Sequence, residues 1–359
     1  MKILYLLRHG EPDLPGGERR CLGSRSDPPL SREGGLTASR LAGCFGGDLR
    51  LFSSPLLRCR STALLLSAGR WRTEIETDLR ELDAGDWDGL SFREIRERWP
   101  EHYERRGRDL SIPPPGGERP ESAAERGLAA LTRIMRRCPG DAAAVAHAGV
   151  NRAILCTLLG RPMRDAMELP QDCGCVNVLA FEEGRFRVLA AGISPFAVPA
   201  PEERRALEAE CGTPERVLRH CAAVRETALE LASGVPGIDT ELLSAACELH
   251  DLMRVERDHP RAAAEVLRRR GYLRLARVIE QHHDCDPLGP VNEEKLLFLA
   301  DKLVREDRRV TLEERFRRAG EKCASPEAAA ALERRKKAAF EIMARIGRTD
   351  TGAKKEELT

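Results

Sequence analysis

At 359 residues the chain is long for a single domain, and its 59 basic and 58 acidic side chains nearly cancel, so no global field draws nucleic acid or an anionic membrane. Aromatic residues make up 4% against a hydrophobic fraction of 42%, so the cores must be built mainly from Leu, Ala, Val and Ile. Twelve cysteines are scattered from Cys21 to Cys323 without paired C-x-x-C spacing, which reads as reduced thiols in a cytoplasmic protein rather than a disulfide scaffold.

The opening apolar run, Ile3 to Leu7, is cut by Arg8 and His9 and predicts a buried strand over 2–7. No stretch approaches the roughly 18 to 20 apolar residues that span a bilayer, so no membrane partner is expected. Further strands are expected at 50–53, 73–77, 141–146, 176–181 and 186–190, with helices at 33–46, 55–68, 91–98, 121–138 and 149–159 between them. Such alternation predicts an α/β fold with a mostly parallel sheet. Three prolines in Ser194 to Pro201 break any regular element and predict a Pro-rich linker at 194–201 between a first domain, 1–193, and a second, 202–347. The second reads as all-α, with helices at 203–210, 214–232, 239–253, 260–270, 272–283, 292–306, 311–320 and 326–346. A flexible tail is expected at 348–359. Arg-rich clusters at 93–108, 268–270 and 334–337 are interleaved with Glu and Ala and read as solvated helix faces, not nucleic-acid patches.

Three strand ends converge on one chemistry. Arg8-His9-Gly10 follows the first strand, at the carboxyl edge where open α/β sheets bind ligands. Arg58 lies in the first turn of the helix after Ser53-Ser54-Pro55, an unfavourable place for a cation unless an anion is bound nearby. His147-Ala148-Gly149 ends a third strand and opens another helix. Two guanidinium forks can clamp a phosphoryl dianion, and a neutral imidazole can attack phosphorus in line. Glu81 can protonate the leaving oxygen if burial favours its protonated form. Cys59 beside Arg58 reads as a packing residue, because nothing else suggests a cysteine nucleophile.

Arg8-His9-Gly10-Glu11, Ser54-Pro55-Leu56-Leu57-Arg58 with Thr62-Ala63, Glu81-Leu82 leading to Gly85-Asp86-Trp87-Asp88-Gly89, and His147-Ala148-Gly149 together resemble the histidine phosphatase (phosphoglycerate mutase-like) superfamily, in the family's order. The resemblance implies a three-layer fold over 1–193, His9 as the phosphorylated nucleophile, Arg8, Arg58 and His147 as the phosphate pocket, and Glu81 as acid and then base. It implies a small phosphorylated metabolite as substrate and no cofactor for this half. Cys21-Leu22-Gly23, Asp27-Pro28-Pro29-Leu30-Ser31 and Pro115-Gly116-Gly117-Glu118 are similar to segments of the α-ribazole phosphatase branch. The short span between Glu81 and His147 favours a phosphatase over a mutase. Leu14-Pro15-Gly16 departs from the family, many of whose members carry a polar residue there.

In the helical half, His250 falls four residues after Ala246 and three before Met253, so it points inward, followed by Asp251. His220, Asp301 and His282 pass the same test on other helices. Burying such groups unpaired would cost several kcal/mol, and a divalent cation removes that cost. The order His220, His250-Asp251, Asp301 resembles the HD superfamily of metal-dependent phosphohydrolases over roughly 213–320. By that resemblance His259 and His282 look like the extra ligands of two-metal members, with His283 as the alternative to His282. Mixed imidazole and carboxylate ligands suit Mn, Fe, Co or Zn, as one ion or two. A nucleotide or other phosphoester is the expected partner of this site. The alternative is a non-catalytic metal- or nucleotide-binding module attached to the phosphatase.

Overall fold

The computed structural model describes residues 1–321, 323 and 325–347. The tail expected at 348–359 lies outside them. Two compact units divide the chain: 1–195 with 269–271, and 196–268 with 272–359.

In the first unit the apolar runs become strands β1 (Lys2–Arg8), β2 (Arg50–Ser53), β3 (Thr73–Ile75), β4 (Ala142–Ala146), β5 (Val176–Glu182) and β6 (Arg185–Ile193), in the order β3-β2-β4-β1-β5-β6. The first four strands run parallel, with Leu4 opposite Ala142 and Leu51 opposite Ala143, while β5 and β6 join antiparallel. β4, Ala-Ala-Ala-Val-Ala, is wholly buried at the centre. Strands buried on both faces read as continuous apolar runs, because helices cover each side. Leu4, Leu6, Ala142, Ala144 and Ala146 pack in one core with Leu131, Ile134, Ile154 and Leu155. These come from the helices α5 (Pro120–Arg137) and α6 (Ala148–Leu159). The alternate residues Ile3, Tyr5, Leu7, Ala143 and Val145 are buried on the other face.

The remaining helices of this unit are α1 (Arg32–Leu41), α2 (Leu57–Ser67), α3 (Phe92–Arg98) and α4 (Pro100–Arg108). The helix expected over 33–46 ends at Leu41 and tightens into a 3-10 turn, Ala42–Cys44. Helix α4 was not expected: it buries no residue, so no apolar stripe marks it, and Pro100 at its first position reads as a stop when it is a start.

The second unit contains α7 (Pro201–Glu210), α8 (Glu215–Ala232), α9 (Thr240–Leu249), α10 (His259–Arg269), α11 (Leu273–Glu280), α12 (Glu293–Lys302), α13 (Leu312–Gly320) and α14 (Pro326–Arg345). Leu296, Leu297, Phe298, Leu299 and Ala300 in the middle of α12 are all fully buried, a continuous apolar run, and they form the core with Val224, Leu243, Ala246, Val278 and Ile342. Three expected helices are shorter than their apolar periods suggested. The helix over 239–253 stops at Leu249, because the His250 side chain takes the Cys247 carbonyl and Leu252 N–H turns back to Leu249. The helix over 272–283 stops at Glu280, where His282 likewise takes the Ile279 carbonyl. The helix over 292–306 stops at Lys302 and gives way to a small hairpin, Val304–Arg305 with Arg308–Arg309, turning through Glu306 at φ 56°. No helix among the described residues is long and apolar enough to cross a membrane.

Candidate active sites

At the carboxyl edge of the first sheet, β1 delivers His9 into a pocket that leaves it 4% exposed. Its Nδ1 lies 2.6 Å from the Gly10 carbonyl, which can only accept, so the proton is on Nδ1 and Nε2 carries the lone pair. Arg58 Nε donates to that Nε2 at 3.3 Å. Burial, then the Arg58 charge, push His9 down to a pKa of about 3 against the Gly10 hydrogen bond, so the ring is neutral at neutral pH. Gly10 N–H donates to Thr62 Oγ1, and a Cβ at Gly10 would meet the Gly34 carbonyl at 2.6 Å, so the turn after His9 needs glycine.

Arg58 is 1% exposed, held by the Ser26 and Gly23 carbonyls at 2.8 and 3.1 Å. Its loop partner is organised by Asp88, which accepts from the N–H groups of Gly23, Arg25 and Ser26. Arg8 donates Nη1 to the Gln171 carbonyl and keeps a buried, unpartnered Nε. His147 caps the start of α6, fully buried, its ring 5.1 Å from that of His9. Ser54 Oγ lies 2.7 Å from His147 Nε2, and burial drives this imidazole well below its ordinary pKa. Two guanidinium groups and two neutral imidazoles thus gather at one sheet edge, a set that suits a phosphoryl anion.

Glu81 joins them from the segment after β3. Its Oε2 accepts from Gly149 N–H at 2.9 Å, and its Oε1 accepts from Val150 and Leu82 N–H, each at 2.9 Å. The carboxylate therefore sits on the free N–H groups of α6. A Cβ on Gly149 would stand 2.6 Å from Glu81 Oε1, so that glycine allows the approach. Arg126 donates to the Glu81 carbonyl and pairs with Glu118 of the Pro115-Gly116-Gly117-Glu118 loop, fixing the segment from behind. Cys59 is fully buried, and burial pushes its thiol far above the usual range, as a packing residue requires.

In the second unit all six expected ligands and the alternative, His283, draw together around the end of α9. His250 Nδ1 donates to the Cys247 carbonyl at 2.9 Å, His282 Nδ1 to Ile279 at 2.7 Å, and His220 Nδ1 to Glu306 at 2.7 Å. Each Nε2 is left for another partner. His250 Nε2 is buried without a hydrogen bond, 3.7 Å from Asp251 Oδ2 and 3.8 Å from Asp301 Oδ1. His220 Nε2 lies 3.2 Å from Asp301 Oδ1. Asp251 Oδ1 approaches His259 Nε2 to 2.9 Å without hydrogen-bond geometry and lies 3.8 Å from His282 Nε2.

Two groups of donors result, each with ligand atoms within 4.8 Å of one another: His220, His250 and Asp251, and His259, His282 and His283. The two oxygens of Asp251 face one group each. Burial lowers His283 to a pKa of about 4, leaving its ring neutral and able to ligate. Burial would raise Asp301, yet Lys302 at 2.7 Å and the neighbouring imidazoles hold it well below the carboxylate range. The orphaned His250 Nε2 and Asp251 Oδ1, the neutral rings of His250, His282 and His283, and the ionised carboxylates fit a divalent cation.

Residues 4–194 match the model of the histidine phosphatase superfamily (branch 1), and residues 217–306 match that of the HD domain. The chain belongs to the histidine phosphatase superfamily. It is 30% identical over 200 residues to phosphoserine phosphatase 1 of Hydrogenobacter thermophilus, 54% of this chain and 93% of that one. It is 40% identical over 119 residues to the bifunctional protein Rv2228c of Mycobacterium tuberculosis, where the match spans 32% of each chain, so the chain covers about a third of that relative's length. The solved structure titled Bacillus stearothermophilus YhfR superposes with a TM-score of 0.50 at 28% identity, covering 54% of this chain and 98% of that one. Sequence reasoning missed Ser54 as the partner of His147 and the Gln171 carbonyl as the partner of Arg8. The first could have been sought in the Ser-Pro turn before Arg58. The second has no sequence signal, since any residue carries a carbonyl.

Proposed function

We propose that residues 1–193 hydrolyse phosphomonoesters of small metabolites through a phosphohistidine on His9. The observation that carries this reading is His9 itself: Nδ1 tied to a carbonyl, Nε2 bearing its lone pair beside Arg58, and the ring neutral. Arg8, Arg58 and His147 bind the phosphoryl oxygens, and Arg58 Nε moves its hydrogen bond from the nitrogen to an oxygen when the anion arrives. His9 Nε2 then bonds to phosphorus as the ester P–O bond breaks, and Glu81 gives its proton to the leaving alkoxide. In the second half Glu81 takes a proton from water, whose oxygen bonds to phosphorus as the N–P bond breaks, releasing phosphate and free His9. Arg126, itself paired with Glu118, holds the Glu81 backbone so that the carboxyl stays within reach of the pocket.

Residues 202–347 act as a metal-dependent phosphohydrolase on a nucleotide or related phosphoester, the stretch 194–201 being the linker. His220, His250, Asp251 and Asp301 would hold one divalent cation. His259, His282 and His283 with the other oxygen of Asp251 would hold a second, a reading in which both His282 and His283 are ligands and which the closeness of their ring nitrogens supports. A bound Mn, Fe, Co or Zn supplies Lewis-acid polarisation of a phosphoryl oxygen and of the attacking water. The backbone carbonyls at Cys247, Ile279 and Glu306 orient each imidazole, so that Nε2 is presented as the donor. The free thiols support a cytoplasmic setting.

The experiment is a panel of phosphomonoesters and nucleotides tested on the full chain, His9→Ala and Asp251→Ala, with chelator or with added Mn. Monoester hydrolysis should vanish in His9→Ala and survive chelation, and an acid-labile phosphoenzyme should form only when His9 is present. Chelator-sensitive nucleotide hydrolysis should vanish only in Asp251→Ala. Full monoesterase activity in His9→Ala would sink the first assignment.

A further inference from the structure

The ligand cluster of the helical unit opens into a cleft of about 1020 Å³ whose wall includes His220, Asp251, His283 and Asp301. That volume is at the upper end of small-molecule sites, roughly 300 to 1,000 Å³, and far exceeds one phosphoryl group. Eight of the side chains lining it are basic and six acidic, and two of the six are Asp251 and Asp301, which face the cation cluster. In a chain whose charges cancel overall, this is a local concentration of positive charge.

The excess has an address. Arg216 and Arg219 stand at the start of α8, Arg305 in the small hairpin, and Arg315 and Arg318 on α13. The last two are three residues apart and so share one face of their helix. Among the described residues Arg216 and Arg315 make no side-chain hydrogen bond or ion pair, Arg219 and Arg305 have only loose ones, at 3.9 and 4.0 Å, and Arg318 is paired with Glu314 at 2.9 Å. α13, which carries Arg315 and Arg318, lies beyond the matched residues 217–306. Phe316 is the aromatic residue of the lining, and it is 5% exposed, turned into the core, so no aromatic plate is offered to a base.

We propose that this cleft binds a linear polyphosphate chain, with one end at the His220, His250, Asp251 and Asp301 cluster and the remainder along Arg216, Arg219, Arg305, Arg315 and Arg318. Selection is by the number of phosphates and not by the group attached to them. A single phosphoryl dianion would leave most of these guanidinium groups unneutralised, whereas successive phosphates meet them in turn. The inference rests on the metal-site reading for where the chain ends, and on the arginines alone for its length.

Calorimetric titration of the full chain with inorganic orthophosphate and tripolyphosphate, with Mn and again after chelation, tests it. Tripolyphosphate should bind the wild type at least about tenfold more tightly than orthophosphate. Arg315→Ala with Arg318→Ala should lower tripolyphosphate affinity at least about tenfold and change orthophosphate affinity by less than about threefold, since only the longer anion reaches both guanidinium groups. Unchanged circular dichroism and Mn content would show that the double variant is folded. Equal affinity for the two anions, or an unaltered ratio in the double variant, would overturn the proposal. Failure of the metal reading is separately visible as a wild type that holds no Mn, because the anion ratio is also measured in chelated protein. ATP and CTP complete the set: affinities within about threefold of that for tripolyphosphate support selection by phosphate number, and a gain over tripolyphosphate or a preference between the two bases beyond about tenfold overturns it.

Discussion

The two sites use the same device and turn it to opposite ends. His9, His220, His250 and His282 each give the Nδ1 proton to a backbone carbonyl, and each is left with Nε2 as the reactive atom. Around His9 the neighbours are Arg8, Arg58 and His147, with Glu81 held off on the N–H groups of α6. Around His220, His250 and His282 the neighbours are Asp251 and Asp301. A lone pair surrounded by cations waits for an anion and can attack it, while a lone pair surrounded by carboxylates completes a cation's shell. The ring does not choose its role; the charge around it does.

The largest effect that sharpens this contrast is expected at His9, the proposed nucleophile. His9→Ala should reduce monoester turnover by at least about 10³-fold, the scale seen when an essential nucleophile is removed, and leave Mn content unchanged. Asp251→Ala should do the reverse, abolishing Mn uptake with monoester kcat within about twofold of wild type. In the wild type, Mn at about a hundred times its Kd should raise the unfolding midpoint of the helical unit by roughly 5 to 10 °C, a shift that Asp251→Ala should lack. A metal requirement for the monoesterase would break the comparison.

Next in size is the glycine that lets Glu81 reach α6. Gly149→Ala would put a methyl 2.6 Å from Glu81 Oε1 and displace the carboxylate. The expected outcome is a fall in monoester kcat of roughly 10- to 100-fold, within the range of lost acid–base catalysis, with KM changed little and phosphoenzyme still formed from substrates with good leaving groups. A loss confined to KM would show that Glu81 binds rather than transfers protons.

The charge environment also fixes how the first site responds to acid. His9 has a folded pKa of about 3, below its unfolded value of 6.5. Its neutral form is therefore harmless to folding above 6.5, and it costs stability as pH falls from 6.5 towards 3, because only the unfolded chain takes up the proton there. Between pH 7 and 5 the loss is about 2 kcal/mol. Urea unfolding at the two pH values should find the loss smaller by about that amount in His9→Gln than in the wild type, since the buried ring of His147 adds its own acid-linked loss to both. A ring signal of His9 titrating near pH 6 in NMR would contradict the buried, cation-flanked geometry.

How much of the two sites was legible in the sequence follows from what each residue depends on. Arg8, His9, Arg58 and His147 were readable because strand ends and helix starts are local features, and polar side chains gathered there in an open α/β sheet point to a ligand. His220, His250, Asp301 and His282 were readable as inward polar groups, Asp251 as the neighbour of His250 and His259 only through the resemblance, although His250 and His282 sit just past helix ends and not within helices, since each side chain takes the carbonyl that would have continued the helix. The joining of His283 to His259 and His282 was not legible, because it depends on how separate chain segments meet. Helix α4 escaped because periodicity detects burial, and this helix buries nothing.

His147 departs from the shared device, and that makes it the finest test. Its ring is fixed by a side chain, Ser54 Oγ at 2.7 Å from Nε2, rather than by a backbone carbonyl, so the restraint can be removed by mutation. Ser54 in turn takes its place from the end of β2, where its N–H donates to the Val145 carbonyl. Ser54→Ala leaves that backbone bond intact and deletes one hydrogen bond of about 1 kcal/mol, predicting a fall in kcat/KM of roughly fivefold. Ser54→Thr keeps the hydroxyl and should recover most of the activity. If His147 only packs, both variants will match the wild type in inhibition by orthophosphate; if it holds the phosphoryl group, Ser54→Ala will weaken that inhibition in step with kcat/KM, and Ser54→Thr will restore it.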